Sequence, residues 1–254
     1  MATISPHSCF QLNSIRSSSH YPSRLFISPL ISHPGSNTRP SVTRRVGPLR
    51  TNNGKTRASL AGLDGNTSDV LGPIGIFRAT GEKVQFNDLW DQNEGMAVVA
   101  LLRHFGCPCC WELASVLKDS IPTLDSAGVK LIAVGVGTPD KARILANRLP
   151  FPMDCLYADP SREAYHALDL YYGLSRTFFN PASAKVFSRW DSLREAVKNY
   201  TISATPEDSS SVLQQGGMFV FKGMQLLYAR KDEGTGDHAP LDEVLNICCR
   251  PSVA

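Results

Sequence analysis

The sequence predicts an α/β fold: a central mixed sheet flanked by helices, with an N-terminal strand pair and a helical insertion before a C-terminal hairpin. Three observations predict it. Seven consecutive apolar residues at 96–102 have the length and composition of a strand buried on both faces. A second apolar run, VKLIAVGVG at 129–137, follows after a helical stretch, which makes a βαβ unit with its two strands parallel. Further on, two short apolar runs joined at Lys222-Gly223 read as a hairpin.

Residues 1–59 read as a chloroplast transit peptide, expected to be disordered. The first acidic residue is Asp64, and eight Arg and Lys residues precede it among serine runs such as Ser17-Ser18-Ser19 and scattered prolines. That composition marks an organelle leader, and the prolines disfavour the amphipathic helix of a mitochondrial one. Processing is expected near Arg57-Ala58-Ser59, followed by a linker over 60–72 and one domain over 73–250, with the stroma as destination. The formal charge of +3 belongs to the leader, since residues 64–254 hold 18 basic and 23 acidic residues, a net of −5. This balance points to no nucleic-acid partner. The longest apolar run is seven residues, so no membrane-spanning helix is expected.

Within the domain, residues 74–90 alternate apolar and polar side chains on both sides of Thr80-Gly81. They give two short strands and then a helical turn opened by Asn87-Asp88. A strand over 96–104 leads through Gly106 into a cysteine-led helix, where Leu113, Val116 and Leu117 share a face and Pro122 and Gly128 act as breakers. The strand 129–137 ends at Thr138-Pro139-Asp140, a cap for a helix over 141–149. A third strand at 151–157 carries Cys155 as a core residue, and a helix from 162 to about 171 turns Ala164, Leu168 and Tyr171 to one face. From 173 to 211 the pattern loosens. Trp190, Leu193 and Val197 form the apolar face of an amphipathic helix, whose simplest use is core packing and whose alternative use is partner binding. Residues 205–211 read as a polar loop, Gln215-Gly216-Gly217 opens the hairpin, and a helix over 241–249 closes the domain.

The chemistry concentrates in Cys107-Pro108-Cys109-Cys110. Cys107 and Cys110 bracket a strand-to-helix turn, where free amide hydrogens and the positive end of the helix dipole favour thiolate over thiol. Pro108 fits, because its missing amide hydrogen costs nothing in the first helical turn. Three readings are open for these sulfurs: apolar packing, metal ligation and redox chemistry. Zinc needs two further ligands, and the chain has no second C-x-x-C and no H-x3-5-H pair. The strand, turn and helix context is the one a redox motif requires, so Cys107 and Cys110 are the candidate catalytic residues, with no cofactor and no metal expected. Arg103 and His104 precede the motif in the strand. Side chains alternate there, so at most one is expected to face the sulfurs, and neither is assigned a role. Trp111 is expected to pack over the turn.

The segments GEKVQFNDLW, VVALLRHFGCPCC, LYADPSREAYHALDLY, GGMFVF and GDHAPLDEVL, in this order, resemble the thioredoxin superfamily. More narrowly, the chain over 74–249 resembles its AhpC/TSA, peroxiredoxin-like branch, closest to chloroplast thioredoxin-like members. The resemblance implies a thioredoxin-like fold and a thiol-disulfide oxidoreductase of antioxidant type, with Cys107 as the attacking thiol and Cys110 as the resolving one. It implies as partners a thiol reductant, such as plastid thioredoxin or glutathione, and a protein disulfide or peroxide substrate. The alternatives are a thiol peroxidase, in which Cys107 or Cys110 forms a sulfenic acid, and a non-catalytic binding module on the same fold. Two departures from the family pattern stand out. Counting back from Cys110, the proline and threonine of a peroxiredoxin are replaced by Arg103 and Cys107, and Gly217 stands where thioredoxins carry a cis-proline. Cys109 is expected to be a bystander, and Cys248 and Cys249 to occupy a helix terminus.

Overall fold

The computed structural model describes residues 67–249, with the side chain of Phe187 left aside. The expected transit peptide and its processing point lie outside the described residues. Residues read as the end of the linker form helix α1 (Thr67–Leu71), which buries Leu71. Strands β1 (Gly75–Arg78) and β2 (Lys83–Gln85) pair antiparallel, with Ile76 opposite Val84. A 3-10 turn at Phe86–Asp88 leads on to β3 (Met96–His104), α2 (Pro108–Ser126), β4 (Val129–Val136), α3 (Pro139–Arg148) and β5 (Leu156–Ala158). Helices α4 (Glu163–Ala167), α5 (Leu174–Phe178) and α6 (Trp190–Val197) come next. Then follow the hairpin β6 (Gly217–Lys222) and β7 (Gln225–Lys231), and α7 (Leu241–Cys248).

Among the described residues the strands form one seven-stranded sheet in the order β2-β1-β5-β4-β3-β6-β7. β3, β4 and β5 run parallel, as two consecutive βαβ units require, while β1 joins β5 and β6 joins β3 antiparallel. The sheet is therefore mixed and flanked by helices, as its apolar runs predict. β3 lies near the middle and is buried along nearly its whole length, which is why it is apolar on both faces. Its side chains alternate between two cores. Val98, Ala100 and Leu102 pack with residues of α2, α3 and α7, while Ala97, Val99 and Leu101 pack with those of α1 and α4. No helix among the described residues is long and apolar enough to cross a membrane.

Several boundaries differ from those expected, each for a local reason. Pro122 sits inside α2 rather than ending it, and the helix stops only where Gly128 takes a φ of +69°. One missing amide hydrogen near the end of a long helix is outweighed by the burial of Leu124 beyond it. β5 is shorter than 151–157, because Pro152 cannot donate to a ladder and Met153–Cys155 coil into a 3-10 turn. Cys155 therefore belongs to that turn, though it is still buried in the core. The left-handed backbone of Asp169, at φ +50°, breaks the helix after α4, so Ala164 and Leu168 are buried while Tyr171 is exposed. In α6, Trp190 is 58% exposed and Val197 is also exposed, contrary to the core packing expected of that face. Leu193 of that face does pack against the core beside the buried Ala196, while Trp190 and Val197 stay outside. The polar loop at 205–211 ends in a 3-10 turn, Ser209–Leu213.

Candidate functional site

The site forms where β3 gives way to α2. Cys107 is the residue at the head of α2, with extended backbone (φ −94°, ψ 119°), and Pro108 takes the first helical position. The Cys107 carbonyl accepts from the amides of Cys110 at 2.9 Å and Trp111 at 3.2 Å, which closes the turn and brings residues 107 and 110 together. The pairing of β3 with β4 shifts register between Leu102 and His104. Such a shift interrupts strict alternation, and both Arg103 and His104 interact electrostatically with Cys107. Of the two, Arg103 is the one that contacts the sulfur, in keeping with the expectation that at most one of them faces it. Tyr165 steadies this point: its hydroxyl donates to the carbonyl of Leu102 at 2.5 Å and lies 3.1 Å from that of Val134.

Arg103 is the residue that sequence reasoning left out. Its Nη1 donates to Cys107 Sγ at 3.3 Å, while Nε donates to the Gln214 carbonyl at 3.0 Å and Nη2 to the Val212 carbonyl at 2.6 Å. The guanidinium is buried, and its planar fork is held on two sides before it reaches the sulfur. A basic residue four positions before a cysteine carries no signal by itself; the bulge and the later carbonyls make the contact.

The three sulfurs divide one negative charge unequally. Hydrogen bonds from the Cys109 and Cys110 thiols hold the Cys107 thiol well below its ordinary pKa, and the charge of Arg103 acts in the same direction against burial. Cys110 is pushed well above the ordinary thiol value by burial and by its hydrogen bond to Cys107. Cys109 also moves up, through its hydrogen bond to Cys107 and then through burial. Cys109 is thus electrostatically coupled to Cys107. His104 is neutral at physiological pH, because burial lowers its pKa to about 4.

The turn is covered. Cys107 is 2% exposed and Cys110 fully buried. The Tyr200 hydroxyl donates to the Gly106 carbonyl at 3.0 Å, and Thr205 packs so closely on Gly106 that no side chain fits there. Trp111 is buried, its indole N–H donating to the Phe105 carbonyl at 2.6 Å and its ring meeting Tyr200 edge-on at 5.6 Å. It braces the turn and lines no outer surface. On the far side, Glu112 and Arg189 form an ion pair of 3.3 Å, tying the 3-10 helix Pro181–Arg189 to α2. The six described cysteines are all free thiols. Cys155 is pushed up to about 11, chiefly by burial. Cys248 and Cys249, with sulfurs 3.6 Å apart, sit at the end of α7. Among the described residues, no group of three or more His, Cys, Asp and Glu could hold a metal ion.

Comparison with known proteins places this geometry in context. The family model for the AhpC/TSA antioxidant enzyme matches residues 116–234, a span that begins just after the cysteine turn. The chloroplastic thioredoxin-like protein AAED1 of Arabidopsis thaliana is 33% identical over 195 residues, which cover 76% of this chain and 77% of that protein. The prostamide/prostaglandin F synthase of Bos taurus is 32% identical over 169 residues, covering 65% of this chain and 79% of the synthase. Among solved structures, peroxidoxin BcpB of Mycobacterium tuberculosis is similar at a TM-score of 0.48 and 14% identity, over 69% of this chain and 90% of that one.

Proposed function

The chain belongs to the thioredoxin-like, AhpC/TSA antioxidant-enzyme family, and from that premise we propose that it is a chloroplast thiol-disulfide oxidoreductase working through Cys107 and Cys110. The observation that carries the reading is the Arg103 guanidinium, fixed by two carbonyls and donating to Cys107 Sγ at 3.3 Å at the head of α2. A cation and a helix N-terminus together stabilise a thiolate, the nucleophilic form. The Cys107 thiolate attacks a disulfide R–S–S–R′, forming Cys107–S–S–R and releasing R′S⁻. Cys110 gives up its proton and attacks the Cys107 sulfur, expelling RS⁻ and closing the Cys107–Cys110 disulfide. A dithiol such as plastid thioredoxin, or two molecules of glutathione, then returns the pair to thiols and is itself oxidised to the disulfide. The high pKa of Cys110 keeps it protonated until the first step has neutralised its neighbour.

Burial of the thiol favours a second substrate class, small peroxides, over a bulky protein disulfide while the cover is closed. There the Cys107 thiolate displaces ROH from ROOH and becomes a sulfenic acid. Cys110 condenses with it to the same disulfide and releases water. The deciding experiment measures turnover of disulfide and peroxide substrates by Cys107→Ser and Cys110→Ser. Cys107→Ser is expected to abolish both, and Cys110→Ser to trap mixed disulfides visible by mass spectrometry. Full activity in both variants overturns the assignment. Stopped-flow fluorescence of the buried Trp111 after peroxide addition separates the substrates: fast, saturable quenching supports the peroxide, and sluggish, unsaturable oxidation removes it.

A further inference from the structure

A second polar group reaches the cysteine turn from the loop 232–240, between β7 and α7. Asp232 and His238 are 2% and 7% exposed. His238 Nδ1 lies 3.1 Å from Asp232 Oδ2, and its Nε2 lies 3.1 Å from the Cys109 carbonyl oxygen. A carbonyl only accepts, so Nε2 carries a hydrogen. A carboxylate also only accepts, so beside an ionised Asp232 the ring is protonated on both nitrogens.

The loop is shaped to the turn. The Asp232 amide donates to the Gly216 carbonyl at 3.0 Å, and a Cβ on Gly216 would stand 3.1 Å from Asp232 Oδ2 and collide with the Leu101 carbonyl. Gly236, at φ +74°, lies so near the turn that a Cβ there would be 3.3 Å from Cys109 Sγ. Arg189 Nη2 donates to the Gly236 carbonyl at 2.5 Å, and Asp237 is gripped by Lys185 and Arg230.

The turn needs such support. The Cys107 side chain makes no capping hydrogen bond and Pro108 offers no amide hydrogen, so beyond the bonds to the Cys107 carbonyl the first turn of α2 depends on tertiary contacts. Cys109 lies between Cys107 and Cys110 in the first turn of α2, so a bond to its carbonyl holds the segment that joins the two thiols. We propose that His238 and Asp232 are positioning residues for the thiol pair: the ring, oriented by Asp232, clamps the Cys109 carbonyl and sets a positive charge against the cysteine turn. The proposal rests on the reading of Cys107 as nucleophile. The charged and titratable groups acting on His238 are Asp232, Arg189, Glu112 and the Cys107 thiol, while Asp237 and Arg230 act on it through Asp232. Burial works against the protonated ring, and the hydrogen bond and charge of Asp232 outweigh it.

The test follows iodoacetamide alkylation of Cys107 against pH in the full chain, by peptide mass spectrometry, together with the rate of Cys107–Cys110 disulfide closure after a peroxide pulse. His238→Gln keeps a donor for the carbonyl but loses the charge. It is expected to raise the alkylation midpoint by about one pH unit, a roughly tenfold slower reaction below the midpoint, with closure near the wild-type rate. His238→Leu loses both functions and is expected to slow closure as well. Asp232→Asn, close in shape, decides the matter if His238→Leu fails to fold, and is expected to shift the midpoint in the same direction. Wild-type midpoints and closure rates in folded His238→Gln and Asp232→Asn overturn the proposal while leaving Cys107 as nucleophile. Wild-type Cys107 alkylating no faster than Cys155 removes the nucleophile and the proposal together.

Discussion

Arg103 shows how much a single side chain can organise. It spends two nitrogens on the Gln214 and Val212 carbonyls and the third on Cys107 Sγ, joining the insertion to the thiol. Arg103→Met is expected to raise the Cys107 alkylation midpoint by about one pH unit. It also leaves buried carbonyls unpaired, at roughly 1–3 kcal/mol of stability by urea denaturation. Arg103→Lys, with charge but no fork, is expected to fall between the two, and a Lys variant no better than Met shows that the fork and not the charge matters. The neighbouring His104 makes a pH prediction. Its folded pKa of about 4 lies below the unfolded 6.5, so the unfolded chain binds more protons between those values and stability falls as pH drops through that window. The loss amounts to about 3 kcal/mol once pH is below 4. Urea midpoints at pH 7.5 and 4.5 are expected to show a steeper fall in the wild type than in His104→Gln, and equal slopes refute the assignment. Neither residue's role was legible in the sequence. Strand alternation allowed one of the two to face the sulfurs and could not say which; the carbonyls of Val212 and Gln214 that fix Arg103 come from more than a hundred residues away.

At the scale of elements, the cover over the thiol is the feature to probe. Gly106 is glycine because Thr205 occupies the space a Cβ would need, and Tyr200 holds the adjoining carbonyl. Gly106→Ala is expected to push residues 200–205 outward and cost about 1–3 kcal/mol of stability. Labelling of Cys107 by a bulky aromatic disulfide is expected to accelerate, while labelling by iodoacetamide changes little. Unchanged labelling by both reagents argues that the cover opens freely in the wild type. β3, α2, β4 and α3 were legible because each carries a strong period or punctuation: an apolar run, Pro at a helix start, Gly at a helix end. The insertion was not. α5 and α6 are short, and the residues of α6 that look like an apolar stripe include the exposed Trp190 and Val197. The helix packs through Leu193, half-buried, and through the buried Ala196, whose small size suits close approach to α2 and gives no pattern.

At the scale of the whole molecule, the folded unit starts before residue 73. Leu71 of α1 is fully buried against the face that carries α4, and the Ser68 hydroxyl donates to the Met224 carbonyl at 2.7 Å beyond β6. A chain beginning at residue 73 is expected to be less stable than one beginning at 60 by about 2 kcal/mol, the cost of exposing one leucine, measured by thermal melting. Identical melting curves show that α1 adds nothing. The plastid destination we propose is checked separately, by fusing residues 1–65 to a fluorescent reporter. Accumulation in chloroplasts is expected, and a cytosolic signal removes the proposal.

The amino-acid order alone determined the mixed α/β architecture and the strand-to-helix turn that bears Cys107 and Cys110, local matters written in periods of two and 3.6 and in the placement of glycine and proline. The resemblance to a thiol-redox family rests on particular segments of the sequence instead. Only the tertiary structure decided which groups surround the sulfur. Arg103, Gln214, Tyr200, Thr205, Asp232 and His238 come from separate stretches of the chain, and they gather around the cysteine turn because the chain after α6 returns across it before and after β6 pairs antiparallel with β3. Most of these contacts join positions about a hundred residues apart or more; they follow from how layers pack, and no spacing along the chain encodes them.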